Sequence, residues 1–424
     1  MTTATNLGDL DLISSEMYRT TGYPWKAWDL LRKESPVYWY EKPGLTGFWA
    51  ITKHEDILTI SKQPNVFVSS QRLVITDRDQ EVQAEAGNAA MRQHHILTMD
   101  PPEHGKYRNL VTRHFAPRAL SLLEPHVEAL SKEIITDVAT RLVDSVSKVG
   151  HADFVSDLSA KLPVFVITEM LGVPREDSEL MFNWTNEAIG AGDPEYQQGR
   201  TAAETGRQAT MAMFGYFAKL LAERRAAPRD DLISVLARSV VDGEPLSDHD
   251  ILSYCFLLIV AGNETTRNAT SGGMLTLIQH PEEMAKLRAD PSLAYSAVEE
   301  ILRWTSPITH FARTAVSDTE IRGQAIKAGD AVVMFYPSAN RDEDLFENPY
   351  TFDITRTPND HLAFGGYGEH FCLGSNLARM ELRVIFGEIL QRLPDIQQDG
   401  EISRLSSTLV GGIKHMPVRF TPAS

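Results

Sequence analysis

One uninterrupted helical stretch constrains the fold more than anything else in the chain. Ser247 is a good N-cap, with Asp250 three residues on as the acidic partner of a capping box. The stretch then runs through ILSYCFLLIVAGNETTRNATSGGMLTLIQ and stops at His280-Pro281. About 33 residues at roughly 1.5 Å each make a rod of about 50 Å. Its middle is apolar nearly all round, which predicts burial. A chain of 424 residues can supply the core to bury it.

The rest of the chain is helix-rich. Residues 37–60 predict two short strands around a Gly-containing turn, then a helix start. Residues 68–98, with Gly87 and the pair His94-His95, are polar and irregular, and so long a loop is usually functional. From Pro102 to near Leu246 apolar residues recur at helical spacing, as in LSLLEPHVEALSKEIITDVATRLVDSV and MAMFGYFAKLLAERR. Residues 291–305 predict another helix, and residues 311–336 short strands turning at Arg322-Gly323 and Ala328-Gly329-Asp330. Residues 337–371 are irregular, a long helix runs from Leu373 to near Leu393, and the tail SRLSSTLVGGIKHMPVRFTP predicts a small hairpin. No repeat, low-complexity tract or linker divides the sequence. The expected fold class is mainly α with a small β-containing lobe, residues 1–424 forming one domain whose first ~20 residues are flexible.

Acidic residues outnumber basic ones, 57 to 41, for a net charge of -16. That balance serves solubility and argues against a general nucleic-acid binder, which needs a basic footprint. Two cysteines, Cys255 and Cys372, rule out a disulfide framework and fit a reducing compartment. The N-terminal stretch lacks a basic region followed by apolar residues, so no signal peptide is expected. No apolar run is long enough for a transmembrane anchor, and a cytoplasmic location is expected.

Chemistry concentrates at Cys372, in FGGYGEHFCLGSNLARMELRV. Gly366, Gly368 and Gly374 surround it, and glycine lets a backbone approach a bulky group closely. The cysteine also stands at the start of a helix, where free N–H groups and the dipole favour a thiolate. Such a thiolate is a good ligand for a soft or borderline metal. A lone cysteine is equally compatible with a buried structural thiol. Zinc would need further Cys or His at set spacing, and the glycines fit neither nucleotide-loop pattern. Cys255, in SYCFLLIV, reads as a small core residue. His94, His95, His114 and His415 match no ligand pattern and read as structural or surface residues.

The second constellation is Ala261 to Thr266, AGNETT, inside the long helix. A carboxylate and a hydroxyl in a buried apolar helix are costly without a purpose. Thr265 can bond back to a carbonyl one turn earlier and open the helix locally, and Gly262 leaves room for a small ligand. The resulting notch, with Glu264 beside it, suits proton delivery; a bend with satisfied polar groups is the alternative. Third, Glu300 and Arg303 lie three apart on one helix face, a weak signal by itself.

Together these segments resemble the cytochrome P450 family. The cysteine stretch is similar to the family signature ending G-x-H-x-C-x-G, here Gly368, His370, Cys372 and Gly374. One departure stands out: Phe364 lies eight residues before the cysteine, where the family usually has seven. Some bacterial P450s that act on sterols and branched lipids share this longer loop, and the packing of Phe364 beside the sulfur does not follow from the pattern. AGNETT resembles [AG]-G-x-[DE]-T-[TS], which implies Thr265 as the oxygen-stabilising alcohol and Glu264 as the relay acid. Glu300-x-x-Arg303 resembles the E-x-x-R motif, and Arg356 in PYTFDITR completes a buried structural charge cluster.

The resemblance extends from about Pro24 to Phe420, and it implies the P450 fold around a buried haem b with Cys372 as axial ligand. Its propionates would meet His104 and Arg108 in DPPEHGKYR, Arg313 in HFARTA, and His370; Ala261, Gly262, Phe364 and Gly374 would border the cofactor. The implied reaction inserts one atom of O2 into a C–H bond of a hydrophobic molecule, with terpenoids, steroids or branched lipids favoured. The implied partners are a soluble ferredoxin and an NAD(P)H-dependent ferredoxin reductase, docking near Arg113, Arg118 and Arg379. The pocket would be lined from 70–97, Leu257 to Ala261, Ser306 to His310 and Leu409-Val410. The rivals are a peroxide-dependent or isomerising enzyme on the same fold, and a non-catalytic haem-binding sensor or carrier.

Overall fold

A computed structural model describes residues 6–75, 94–115 and 125–422; side chains of the helix Pro125–Ser147 are described from residue 136 onward. The predicted rod is the helix Asp248–Gln279, 32 residues long. Ser247 caps it by accepting from the Asp250 N–H, and the Ser247 hydroxyl donates to the Asp250 carboxylate at 2.7 Å. Burial is not confined to the apolar middle. It continues through Asn263, Glu264, Arg267, Asn268 and Ser271.

Helices Lys161–Leu171, Ser178–Ile189, Ala202–Ala226, Ala294–Thr305 and Ser375–Arg392 pack against this rod. Two glycines let the last two come close. A Cβ on Gly273 would stand 2.6 Å from Ile301 Cγ2 and 2.8 Å from Phe386 Cζ, and one on Gly272 would stand 2.9 Å from Thr305 Cγ2. No side chain fits at such distances, so glycine permits the crossing.

A small sheet lies to one side. Its strands are β1 (Val37–Tyr40), β2 (Phe48–Ile51), β3 (Phe67–Val68), β4 (His310–Ala315) and β5 (Ala331–Phe335), in the order β1-β2-β5-β4-β3. Only the β2–β5 pair is parallel. Every residue of β5 is buried, and its faces alternate with the period of a strand. Ala331, Val333 and Phe335 join Trp28 and Phe48, while Val332 and Met334 join Ile57 and Ile60.

The tail differs from the expected single hairpin. Ser403–Arg404 and Ile413–His415 pair with each other, but Pro417–Arg419 leaves them to pair with Gln397–Gln398 and His151–Asp153. The helix after Cys372 begins at Ser375, two residues later than expected.

The acidic-basic motif on helix Ala294–Thr305 ties this frame to the loop that leads to Cys372. Glu300 and Arg303 are both fully buried. Arg303 Nε and Nη2 donate to the two Glu300 carboxylate oxygens at 2.8 Å each. Arg356 completes the predicted cluster, with Nε 3.2 Å from Glu300 Oε2. Arg303 Nη1 donates to the Asn340 and Pro349 carbonyls, and Glu300 accepts from the Asp353 N–H and the Asn359 amide. A buried pair so fully bonded is costly to break from one side. Glu300→Ala is expected to lower unfolding free energy by about 3–5 kcal/mol, read as a shift in urea midpoint at unchanged slope. A loss under about 1 kcal/mol would show that the cluster is dispensable.

Candidate active site

A cavity of about 550 Å³ lies between the central helix and the segment around Cys372. Leu257, Leu258, Val260, Ala261, Leu409 and Val410 line it as expected, as do Leu73, Val74, Ile96 and Leu97. Residues 76–93 of the expected 70–97 lining fall outside the described residues. Of the expected 306–310 stretch, Pro307 and Ile308 line the cavity. Ser306 bonds instead to the Arg303 carbonyl at 2.9 Å, and His310 Nδ1 contacts the Thr408 carbonyl at 3.2 Å. His95, expected to be merely structural or on the surface, is buried against the cavity and kept neutral by burial, its pKa pushed down to about 4.

The cysteine loop folds back on itself, the Cys372 N–H donating to the Phe364 carbonyl at 3.0 Å. A Cβ on Gly366 would stand 2.2 Å from Ser61 Oγ, and one on Gly368 would stand 1.9 Å from the Ser61 carbonyl oxygen. These glycines allow close approach to helix His54–Ser61, and both also line the cavity. Gly374 lines it too, and its Cβ position meets nothing within 4 Å. Within the longer loop Tyr367 takes φ +54°. Its ring stacks on Phe371 at 5.2 Å between centroids. Phe364 lies edge-on to Phe371 at 6.3 Å, under the Arg379 guanidinium at 4.5 Å.

Burial pushes the Cys372 thiol upward, while the Gly374 N–H, Arg108 and Arg379 pull the other way. The predicted help from the helix start is present, but desolvation outweighs it. A cation bound at the sulfur would favour its thiolate.

Arg108, on helix Glu103–Thr112, and Arg313, on β4, reach the cavity together with His104 and His370. The two imidazole centroids are 4.3 Å apart. Arg108 donates to the Phe371 carbonyl at 2.7 Å and Arg313 to the Ala312 carbonyl at 2.7 Å. Neither is ion-paired with a carboxylate among the described residues. Both His104 nitrogens and His370 Nδ1 are buried without a hydrogen-bond partner, His104 Nδ1 stands 3.7 Å from the Glu369 carboxylate, and His370 Nε2 lies 3.0 Å from Ser69 Oγ. Burial, then Arg313, His104 and Arg108, keep His370 neutral; burial, then Arg108, lowers His104. Buried guanidiniums without counter-anions, beside imidazoles with open nitrogens, fit an anionic ligand. One sulfur, these donors and the apolar walls fit a haem with its two propionates.

Across the cavity Thr265 Oγ1 donates to the Ala261 carbonyl at 2.8 Å, as the sequence predicts. Gly262 lines the cavity, and a Cβ there would meet only Ile167 at an ordinary 3.4 Å, so protein packing alone does not require glycine. Glu264 is buried and paired with Arg267, whose Nη1 donates to Asn186 Oδ1 at 2.5 Å. Glu264 Oε1 has no partner. Burial raises the Glu264 pKa and Arg267 opposes it. Arg267 was missed by sequence reasoning, although its spacing from Glu264 repeats that of Glu300 and Arg303.

Arg379, an expected docking cation, forks instead onto Glu299 at 2.7 and 2.8 Å. Its guanidinium is thus engaged within the chain. Arg113 is exposed, and Arg118 falls outside the described residues. His94 and His415 contact carboxylates, and Cys255 is a fully buried core residue. Among the described residues no helix is long and apolar enough to cross a membrane.

A family model described as cytochrome P450 matches residues 197–407. The methyl-branched lipid omega-hydroxylase of Mycobacterium tuberculosis is 39% identical over 402 residues, covering 93% of this chain and 90% of that protein. The steroid C26-monooxygenase of Mycolicibacterium smegmatis is 38% identical over 399 residues, covering 93% and 90%. The structure of Mycobacterium marinum cytochrome P450 CYP268A2 in complex with pseudoionone superposes with a TM-score of 0.88 at 37% identity, covering 97% and 98% of the two chains. With the fold, the order of its motifs and the length of these matches all in agreement, the chain belongs to the cytochrome P450 family and shares its monooxygenase activity at a haem iron.

Proposed function

We propose that the chain holds haem b through Cys372 and hydroxylates a C–H bond of a terpenoid, steroid or methyl-branched lipid. The observation that carries this reading is one apolar cavity in which Cys372 faces two guanidiniums that lack counter-anions. Arg108, Arg313, His104 and His370 would hold the two propionates, and Ala261, Gly262, Phe364 and Gly374 would border the ring. When bound, the haem iron supplies dioxygen activation, and a thiolate donor favours O–O cleavage. Thr265 keeps a proton at Oγ1, shared with the Ala261 carbonyl, at the edge of the space where oxygen would react. Glu264, buried and paired with Arg267, is the acid that recharges it after release from Arg267.

The substrate class rests on two supports. The cavity walls away from the cysteine are apolar, and relatives at 38–39% identity carry names for oxidation of branched lipids and steroids. By the family resemblance, electrons arrive in the cytoplasm from a ferredoxin and its NAD(P)H-dependent reductase. Exposed Arg113 is the surviving candidate for a salt-sensitive docking contact.

Three outcomes are expected. Reduced protein with carbon monoxide shows the red-shifted Soret band of thiolate ligation, and Cys372→Ser abolishes it; an unchanged spectrum would exclude Cys372 as ligand. Thr265→Ala lowers the fraction of reducing equivalents recovered as product about 10-fold or more, with oxygen uptake continuing. Unchanged coupling would favour a peroxide-dependent or isomerising enzyme. In a difference-spectrum titration, branched lipids, steroids or terpenoids displace the iron-bound water and shift ferric haem to high spin. No shift and no turnover across all three classes would favour a sensor or carrier.

A further inference from the structure

Two guanidiniums favour an anion at the Cys372 sulfur, those of Arg108 and Arg379. They are treated differently by the rest of the chain. Arg108 lines the cavity and pairs with no carboxylate among the described residues, which suits a propionate. Arg379 lies seven residues beyond the cysteine, outside the cavity lining, and is matched by a carboxylate of its own. We propose that Glu299, by holding and neutralising the Arg379 guanidinium, sets the reduction potential of the haem iron bound to Cys372. Glu299 is then a positioning residue, acting on the sulfur through Arg379. The proposal rests on the reading that Cys372 is the haem ligand and adds a control on that site.

The geometry forms a short chain of contacts from Glu299 to the sulfur-bearing residue. Helices Ala294–Thr305 and Ser375–Arg392 pack together and present the two side chains to each other. Arg379 Nε and Nη2 donate to the two Glu299 oxygens at 2.7 and 2.8 Å, the planar fork that only arginine offers a carboxylate. His361 fixes the acid from a third direction. Its Nδ1 accepts from the Ala363 N–H at 3.2 Å, which leaves the proton on Nε2, 3.1 Å from Glu299 Oε2. Burial pushes the Glu299 carboxyl up, but His361 and Arg379 outweigh it and bring it down to about 2. Glu299 is therefore charged at neutral pH. The Arg379 guanidinium rests over the Phe364 ring at 4.5 Å, and the Phe364 carbonyl accepts from the Cys372 N–H at 3.0 Å. The adjacent arginines add no competing partner for Glu299, since Arg303 is paired with Glu300 and Arg383 lies over Tyr295.

Reduction places one more negative charge on the iron and its sulfur ligand. A bare cation nearby favours the reduced state, a bare anion opposes it, and a matched pair leaves little net field. Arg379 and Glu299 are 24% and 27% exposed, so water screens part of that field and the effect is modest. The sign distinguishes this role from a mechanical one. A clamp that only fastened the two helices would be broken in the same way from either side. A charge balance is tipped in opposite directions by removing one partner or the other.

The test is a redox titration of the holoenzyme without substrate or ferredoxin, so turnover does not enter. Glu299→Gln leaves Arg379 unmatched and is expected to shift the ferric–ferrous balance about 10-fold toward ferrous, ~59 mV upward for one electron. Arg379→Gln leaves Glu299 unmatched and is expected to shift it about 10-fold toward ferric. The double variant is expected within about 3-fold of the wild type, and Arg379→Lys, which keeps the charge, nearer the wild type than Arg379→Gln. On the same samples the iron–sulfur stretching frequency in resonance Raman spectra is expected to fall in Glu299→Gln and rise in Arg379→Gln. Shifts of the same sign in the two single variants, or of less than about 2-fold in both, overturn the proposal. Glu299→Asp stands in for a glutamine variant that fails to take up haem. It is expected to shift the same way by a smaller factor, and a shift toward ferric overturns the proposal. A wild type without the thiolate Soret band overturns the ligand reading and this proposal with it. A wild type that shows the band while the potentials ignore the pair overturns this proposal alone.

Discussion

The sulfur of Cys372 stands where it does because two glycines before it are pressed onto the carbonyl and hydroxyl of Ser61. Any side chain at Gly366 or Gly368 would overlap that helix turn, so the loop has one seat. The seat is itself fixed. The His54 N–H at the head of the Ser61 helix donates to Asp342, which also pairs with Lys53. Nearby, Asn340 accepts from the Leu362 N–H at 2.7 Å, just before the cysteine loop begins, and its backbone carbonyl accepts from Arg303. A buried charge pair, an asparagine and a helix turn thus locate one sulfur. The position is set by hydrogen bonds and contact, not by the cysteine itself.

Around that sulfur the chain has arranged charge unevenly. The Arg108 and Arg313 guanidiniums are desolvated and lack counter-anions among the described residues, and two neighbouring imidazoles are kept neutral partly by those same cations. Left empty, such a cradle is electrostatically unfavourable. A dianionic ligand would resolve the imbalance, and a metal cation on Cys372 would offset the burial that now disfavours its thiolate. Ligand binding and folding stability are therefore coupled at one end of the cavity.

Much of this was legible in the sequence because it is local. The central helix declares itself through Ser247, His280-Pro281 and an apolar run between them, and Glu300 with Arg303 through spacing on one face. The Thr265 bond to Ala261 follows from helix geometry alone. What escaped depends on contacts distant in sequence. Nothing near Arg379 foretells its fork onto Glu299, and nothing near His370 foretells Ser69. The glycines of the cysteine loop were legible as close-approach residues, but pattern alone cannot say that Ser61 is one of the groups that approach. Pro417–Arg419 left the predicted hairpin because a strand edge elsewhere, His151–Asp153, was free to pair with it. Arg267 is the instructive omission: its signal was local, at helical spacing from Glu264, and it changes what that acid can do.

Three buried glutamates show how environment divides a single side-chain type. Glu300 is satisfied on every side by Arg303, Arg356, a backbone N–H and an amide at the bottom of the fold. Glu264 has one strong partner and one buried oxygen without a hydrogen bond. Glu381 has no ion-pair partner among the described residues, and desolvation pushes it toward the neutral form. The first arrangement is stable and inert. The other two are incomplete in hydrogen bonding, which costs stability, and both border the cavity. Buried polar atoms without partners are rare in folded chains. That two of them are carboxyl oxygens of residues bordering the cavity is the pattern expected when a fold gives up stability to keep acids available for reaction.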